Sequence, residues 1–130
     1  MEKHDSFEDL VCWQKAYELK TDIKRIVLDK LPKPERFELY SQIQSASRSA
    51  TANIAEGWGR FHYLDSRKFY YNSRGSLAEI IDHLIEARDC GYISLEEFDC
   101  LKSQTLSAIR VLNGYIKYVK KKADSGEKGY

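Results

Sequence analysis

Apolar residues in this chain recur at intervals of three and four almost from end to end, and that period restricts the fold more than any single motif. Phe7, Leu10, Val11, Ala16, Tyr17, Leu19, Ile23, Ile26, Val27 and Leu31 form the kind of stripe that a helix buries on one side. Pro32 and Pro34 end this first helix, predicted over Phe7–Leu31. Pro34 can occupy the first turn of a second helix, which Phe37, Tyr40, Ile43, Ala46, Ala50 and Ile54 carry to Gly57 and Gly59. Those two glycines read as a left-handed cap. A third helix is expected from Asp65, as N-cap, through Phe69, Ser73, Leu77, Ile80, Ile81, Leu84 and Ile85 to a stop at Gly91. Ser94-Leu-Glu-Glu97 is a capping box that opens a fourth helix. In that helix Phe98, Leu101, Thr105, Ala108, Leu112, Tyr115 and Val119 keep a seven-residue repeat. No alternating run competes as a strand.

Four amphipathic helices with short connections predict an all-α fold, an antiparallel up-down-up-down four-helix bundle. At 130 residues the chain makes one domain. The bundle is expected over 1–122, with a disordered tail over 123–130, where Gly, Ser, Asp, Glu and Lys dominate.

Composition excludes several classes. Hydrophobic residues make up 42% and charged residues 32%, and no apolar run approaches the roughly 20 residues of a membrane helix. The N-terminus lacks the basic-then-apolar pattern of a secretion signal, so the cytoplasm is the expected location. Cys12, Cys90 and Cys100 form no CxxC pair and fall at helical positions, which fits reduced, semi-buried thiols.

The net charge is only +1, yet charge is unevenly placed. Between Leu77 and Asp99 seven acidic residues (Glu79, Asp82, Glu86, Asp89, Glu96, Glu97, Asp99) face Arg88 alone. Arg60, Arg67, Lys68 and Arg74 reverse the sign, and the fourth helix ends in Lys117, Lys120, Lys121 and Lys122. In the predicted topology Arg60, Arg67, Lys68 and the final lysines gather at one end. Glu2, Asp5, Glu8 and Asp9 sit among them, and Asp89, Glu96 and Glu97 lie at the other end.

Three constellations carry candidate chemistry. Ser49, Asn53 and Glu56 fall on one helical stripe that Glu79 of the next helix could oppose. They form either a hydrogen-bonded network that sets helix register or a paired-carboxylate site. No phosphate loop, HExxH or Glu-x-x-His repeat accompanies them. His83 lies one turn after Glu79, an incomplete ligand set that reads as a solvated pair, while His4 and His62 have no partners at ligand spacing. The segment from Arg60 to Tyr71 interleaves basic and aromatic residues. That mixture suits phosphate contact with base stacking, or else core aromatics beside a solvated helix start. Trp58, between two glycines, is read as an anchor of a subunit interface.

Several of these segments, Phe7-Glu-Asp-Leu10, Trp13-Gln-Lys-Ala16, Gln42-Ile43, Asn53-Ile-Ala-Glu-Gly57, Gly75-Ser-Leu-Ala-Glu79 and Gly91-Tyr92, carry a family resemblance. The chain resembles the bacterial four-helix bundle proteins encoded in intervening sequences of 23S ribosomal RNA genes, also labelled S23 ribosomal proteins. The resemblance implies a homo-oligomer, typically a ring of five bundles, with no enzymatic activity and no cofactor. It also implies kinship with the accessory proteins of diversity-generating retroelements, which bind RNA and a reverse transcriptase. Family members usually carry arginines just after the Gln-Ile pair, where this chain has Gln44 and Ser45.

Three functions follow as expectations. The first is RNA or DNA association through Arg48, Arg60, Arg67, Lys68, Arg74, Lys117, Lys120, Lys121 and Lys122. The second is an oligomeric protein-binding scaffold that uses Trp58. The third is a hydrolase or metalloenzyme centred on Glu56 and Glu79.

Overall fold

A computed structural model of the chain describes residues 5–129, the side chains of residues 36 and 37 excepted. The expectations for Glu2, His4, Tyr130 and the Phe37 side chain lie outside the described residues. Four α-helices make up the fold: α1 (Val11–Ile26), α2 (Leu39–Gly59), α3 (Tyr63–Asp89) and α4 (Leu95–Asp124). Short 3-10 turns span Phe7–Asp9, Leu28–Lys30 and Lys33–Phe37. Among the described residues there is no strand, only an isolated antiparallel bridge between His62 and Gly129.

The three-and-four stripes become one core. Leu19 and Ile23 of α1, Ile43 and Ile54 of α2, Leu77, Ile80 and Leu84 of α3, and Leu101 and Leu112 of α4 are all fully buried. Each such side chain contributes about 1.5–3 kcal/mol when taken out of water. Thr105, buried at the centre of α4, donates its hydroxyl to the Leu101 carbonyl at 2.7 Å. Among the described residues no buried side-chain nitrogen or oxygen is left without a partner.

The ends differ from the sequence reading in instructive ways. The first helix is interrupted at Leu10, whose backbone is extended, and α1 stops at Ile26. Leu31 is extended because the residue before a proline is pushed out of the helical region, so the chain reaches Pro32 through a 3-10 turn. Pro34 starts a 3-10 turn rather than α2 itself. Two predicted signals hold. Gly91 has φ 75°, with its N–H bonded to Arg88 O at 3.0 Å and the Tyr92 N–H to Ala87 O at 2.9 Å, a Schellman stop. Ser94 and Glu97 form the reciprocal capping box.

Gly57 and Gly59 are not a left-handed cap: α2 runs through both. A Cβ on Gly57 would lie 2.7 Å from the Tyr70 ring, so the glycine is there for the approach of α3, not for its dihedral angles. The left-handed residue is Phe61, with φ 66°. Asp65 is not the cap of α3 either. The helix begins two residues earlier, with His62 at the cap position, and the Tyr63 N–H bonds the Lys128 carbonyl at 2.9 Å.

That bond ties the residues after α4 to the start of α3. The 123–130 segment was expected to be disordered, but α4 continues to Asp124 and residues 125–129 fold back onto the start of α3. Gly126, at φ 83°, makes a second Schellman stop, with Gly126 N–H to Ala123 O and Glu127 N–H to Lys122 O, both at 3.1 Å. Composition missed this because a short polar segment can be ordered by backbone bonds to a distant helix start without burying apolar surface of its own.

Replacing Gly57 with Ala is expected to destabilise the fold by about 1–3 kcal/mol, through overpacking against Tyr70. Gly75→Ala, in open space within α3, is expected to stabilise by about 0.5–1 kcal/mol. Urea unfolding followed by circular dichroism compares the two. Equal midpoints would refute the packing role of Gly57.

Candidate nucleic-acid interface

The candidate surface is assembled by the α2–α3 turn and the end of α4. Arg60 follows α2, Arg67 and Lys68 lie in the first two turns of α3, and Lys120, Lys121 and Lys122 fill the last turns of α4. The Tyr63–Lys128 bond and the His62–Gly129 bridge bring these elements to one end of the molecule. There the Arg60 guanidinium lies 4.9 Å from the Phe69 ring centroid and the Lys68 ammonium 5.2 Å. Cations over an aromatic face are held by its quadrupole while their N–H groups stay in water. Arg60 also reaches Glu56 at 3.7 Å, and both groups are well exposed.

Not every cation is equally available. Lys122 is engaged: its ammonium is 3.0 Å from the Glu127 carboxylate and 5.7 Å from the Tyr118 centroid. The Glu127 carboxylate holds the Lys122 pKa above the ordinary lysine range, and the Lys122 ammonium holds Glu127 below the carboxylate range. Lys117, Lys120 and Lys121 are exposed and form no ion pair with the described residues. Arg74, two turns further along α3, donates to Asn113 Oδ1 of α4 at 3.0 Å and lies over Tyr71 at 5.1 Å. Arg48 is apart from all of these: it sits in the middle of α2, facing α1 near Lys20.

The polar stripe divides. Ser49 Oγ and Ser76 Oγ are 2.8 Å apart, and Asn53 Nδ2 donates to both the Ser49 carbonyl and its Oγ at 2.9 Å. Buried Ser73 adds a bond to the Ala50 carbonyl at 2.6 Å. Ser73 and Ser76 were the members that the sequence reading missed. Small hydroxyl residues at positions facing the Ser- and Ala-rich stretch of α2 were the signal for them. Glu56 and Glu79 are not in this network: both are exposed, Glu56 beside Arg60 and Glu79 beside His83 at 3.2 Å. The Gly57–Tyr70, Ala50–Ser73 and Ser49–Ser76 contacts put Glu56 level with residues near 70. Glu79 is then roughly nine residues beyond, about 14 Å at 1.5 Å per residue. The two carboxylates cannot share a substrate atom, which removes the paired-carboxylate site.

Trp58 is half-buried within the chain itself. It packs on the core and meets Phe7 edge-on at 6.4 Å, with Phe7 against Trp13 at 5.2 Å. Of the thiols, Cys12 is buried, with its pKa pushed up to about 12 by desolvation, while Cys90 and Cys100 are exposed. Among the described residues no three His, Cys, Asp or Glu side chains are grouped as metal ligands, and no helix is long and apolar enough to cross a membrane.

The geometry defines a small all-helical protein with cations and aromatic rings gathered at one end. The chain belongs to the 23S rRNA-intervening sequence protein family, whose model matches residues 8–114. No curated protein matches it.

Glu127→Gln is expected to loosen residues 125–129, read as lower backbone order parameters, because Lys122 loses its carboxylate. Glu127 has a lowered folded-state pKa, so its contribution is present above the ordinary carboxylate range and lost as pH falls through the lowered value. Once the pH has fallen far enough to protonate Glu127, the wild-type tail is therefore expected to match that of the variant at neutral pH. An unchanged tail in both would show that the ion pair does not hold it.

Proposed function

We propose that this chain is a non-enzymatic, cytoplasmic, homo-oligomeric protein that associates with RNA through its basic end. The reading takes the bundle to be antiparallel up-down-up-down and the assembly to be a pentameric ring, as the family resemblance implies. The observation that carries it is the convergence of Arg60 and Lys68 over Phe69 with the unpaired Lys120 and Lys121. Phosphate contact needs accessible cations, and unpaired bases need flat apolar faces. Support for the helix order comes from the contacts between α2 and α3, which run in opposite directions along the two helices. The near-neutral net charge predicts a modest, local affinity rather than coating of long RNA.

A second reading rests on Phe61 and Leu64, exposed by 53% and 66% beside the same basic groups. Apolar side chains in such a setting fit a protein partner, including a reverse transcriptase, or a neighbouring subunit. In a ring, Trp58 would contribute only its uncovered edge.

Filter binding of structured RNA at two salt concentrations tests the main reading. Salt-sensitive retention is expected, and Arg60→Gln, Lys120→Gln and Lys121→Gln are each expected to lower the salt slope by about one. Retention that is absent, or insensitive to salt, would refute RNA association and leave the protein-binding reading. Native mass spectrometry is expected to give five times the 15.1 kDa chain mass, and a monomer would refute the ring.

A further inference from the structure

A second group of cations lies well away from the basic end, in a groove of about 370 Å³ between α1 and α2. Lys20 and Lys24 come from α1 and Arg48 from α2, with Tyr17, Leu28 and Gln44 completing the walls that matter here. Arg48 is twelve residues before Arg60 in α2, about 18 Å along the helix. The Lys20 ammonium is held in place: it donates to Thr51 Oγ1 at 3.1 Å and sits 5.6 Å from the Tyr17 ring centroid. Tyr17 is itself stacked on Trp13 at 4.9 Å with the rings 15° from parallel.

No carboxylate lines this groove. α1 carries two acidic residues, Glu18 and Asp22, and neither lines the groove; Asp22 pairs with Arg25 at 3.3 Å and accepts from Gln104 of α4 at 3.0 Å. Lys20 is partly desolvated and faces the Arg48 charge, and both effects, burial first, hold its pKa below the ordinary lysine range. The fold therefore keeps like charges together with no counterion among the described residues, a repulsion that a bound anion would relieve.

We propose that this groove is a phosphate-binding site, in which Arg48, Lys20 and Lys24 hold a phosphate monoester. Three cations match a monoester's charge of about −2 better than the single charge of a carboxylate. Arg48 has its whole fork of N–H donors available for bidentate contact, since no described residue accepts from it. The nearby hydroxyls of Thr21 and Ser47 already donate to carbonyls of their own helices, at 3.0 and 3.1 Å. The anion is thus met by the charged groups and the Gln44 amide. Leu28 and the Tyr17 ring give apolar walls to whatever carries the phosphate. The site does not depend on the basic end and stands or falls separately from RNA binding there.

Amide NMR titrations at constant ionic strength test it, with four probes: inorganic phosphate, a nucleoside 5′-monophosphate, and one short RNA with either a 5′-phosphate or a 5′-hydroxyl. Saturable shifts are expected at Lys20, Gln44, Ser47 and Arg48 with phosphate and with the monophosphate. The 5′-phosphorylated RNA is expected to shift them at lower concentration than its 5′-hydroxyl form. Arg48→Gln and Lys20→Gln should each weaken binding about tenfold, the loss of one charge-assisted hydrogen bond. Lys102→Gln, at an exposed cation of α4 outside both groups, should leave it unchanged. A dispersed spectrum confirms that each variant is folded. Tighter binding of the monophosphate than of inorganic phosphate would support a carried phosphate, and equal binding a free one. No saturable shift with any probe, or equal affinity in folded Arg48→Gln and wild type, would overturn the proposal.

Discussion

The close approach of α2 and α3 governs the rest of the molecule. Gly57 has no side chain where the Tyr70 ring passes, Ser73 bonds directly to the Ala50 carbonyl, and Ser49 meets Ser76. Such contacts tolerate almost no sliding, because a shift of one residue would drive a Cβ into the ring or strand a buried hydroxyl. With the pair fixed, Arg60, Phe61 and His62 have a single path from one helix to the next. The basic groups of α3 are then delivered to the place where α4 ends. The Asn53-Ile-Ala-Glu-Gly57 segment is thus largely a packing device, and its surface consequence appears a few residues later, at Arg60.

The cations sort by partner rather than by position in the sequence. Lys30 pairs with Glu97 and Arg88 with Asp89 at the acidic end, and Arg88 also covers Phe98 at 4.5 Å. Those pairs are exposed and worth little individually. Arg74 and Lys122 are tied to Asn113 and Glu127. Among the described residues, the cations without an ion pair include Lys117, Lys120 and Lys121 at the basic end, and Lys24 and Arg48 between α1 and α2. A formal charge near zero conceals both groups.

Much of the fold could be read directly from the chain, because three-and-four spacing, Gly91 and the Ser94–Glu97 box report on local geometry. All four helices follow from them. What escaped was whatever depends on a residue far away in sequence. Gly57 looks like a helix stop until Tyr70 is placed against it, and Asp65 looks like a cap until Lys128 supplies the missing acceptor. The same limit applied to the site. The clustering of Arg60 and Lys68 was visible from their spacing and the helix order. The separation of Glu56 from Glu79, and the isolation of Arg48 beside Lys20, required the register between helices.

Phe61 holds a left-handed conformation, and a Cβ on Gly129 would lie 2.7 Å from its ring, so the loop between α2 and α3 closes against the far end of the chain. The α2–α3 hairpin can pair early, since its contacts are local, whereas closure of this loop waits until α4 has formed and returned. The bond from the buried Tyr63 to the Lys128 carbonyl is made only by that return. The end of the protein that gathers its positive charge is therefore assembled only once the chain has returned on itself.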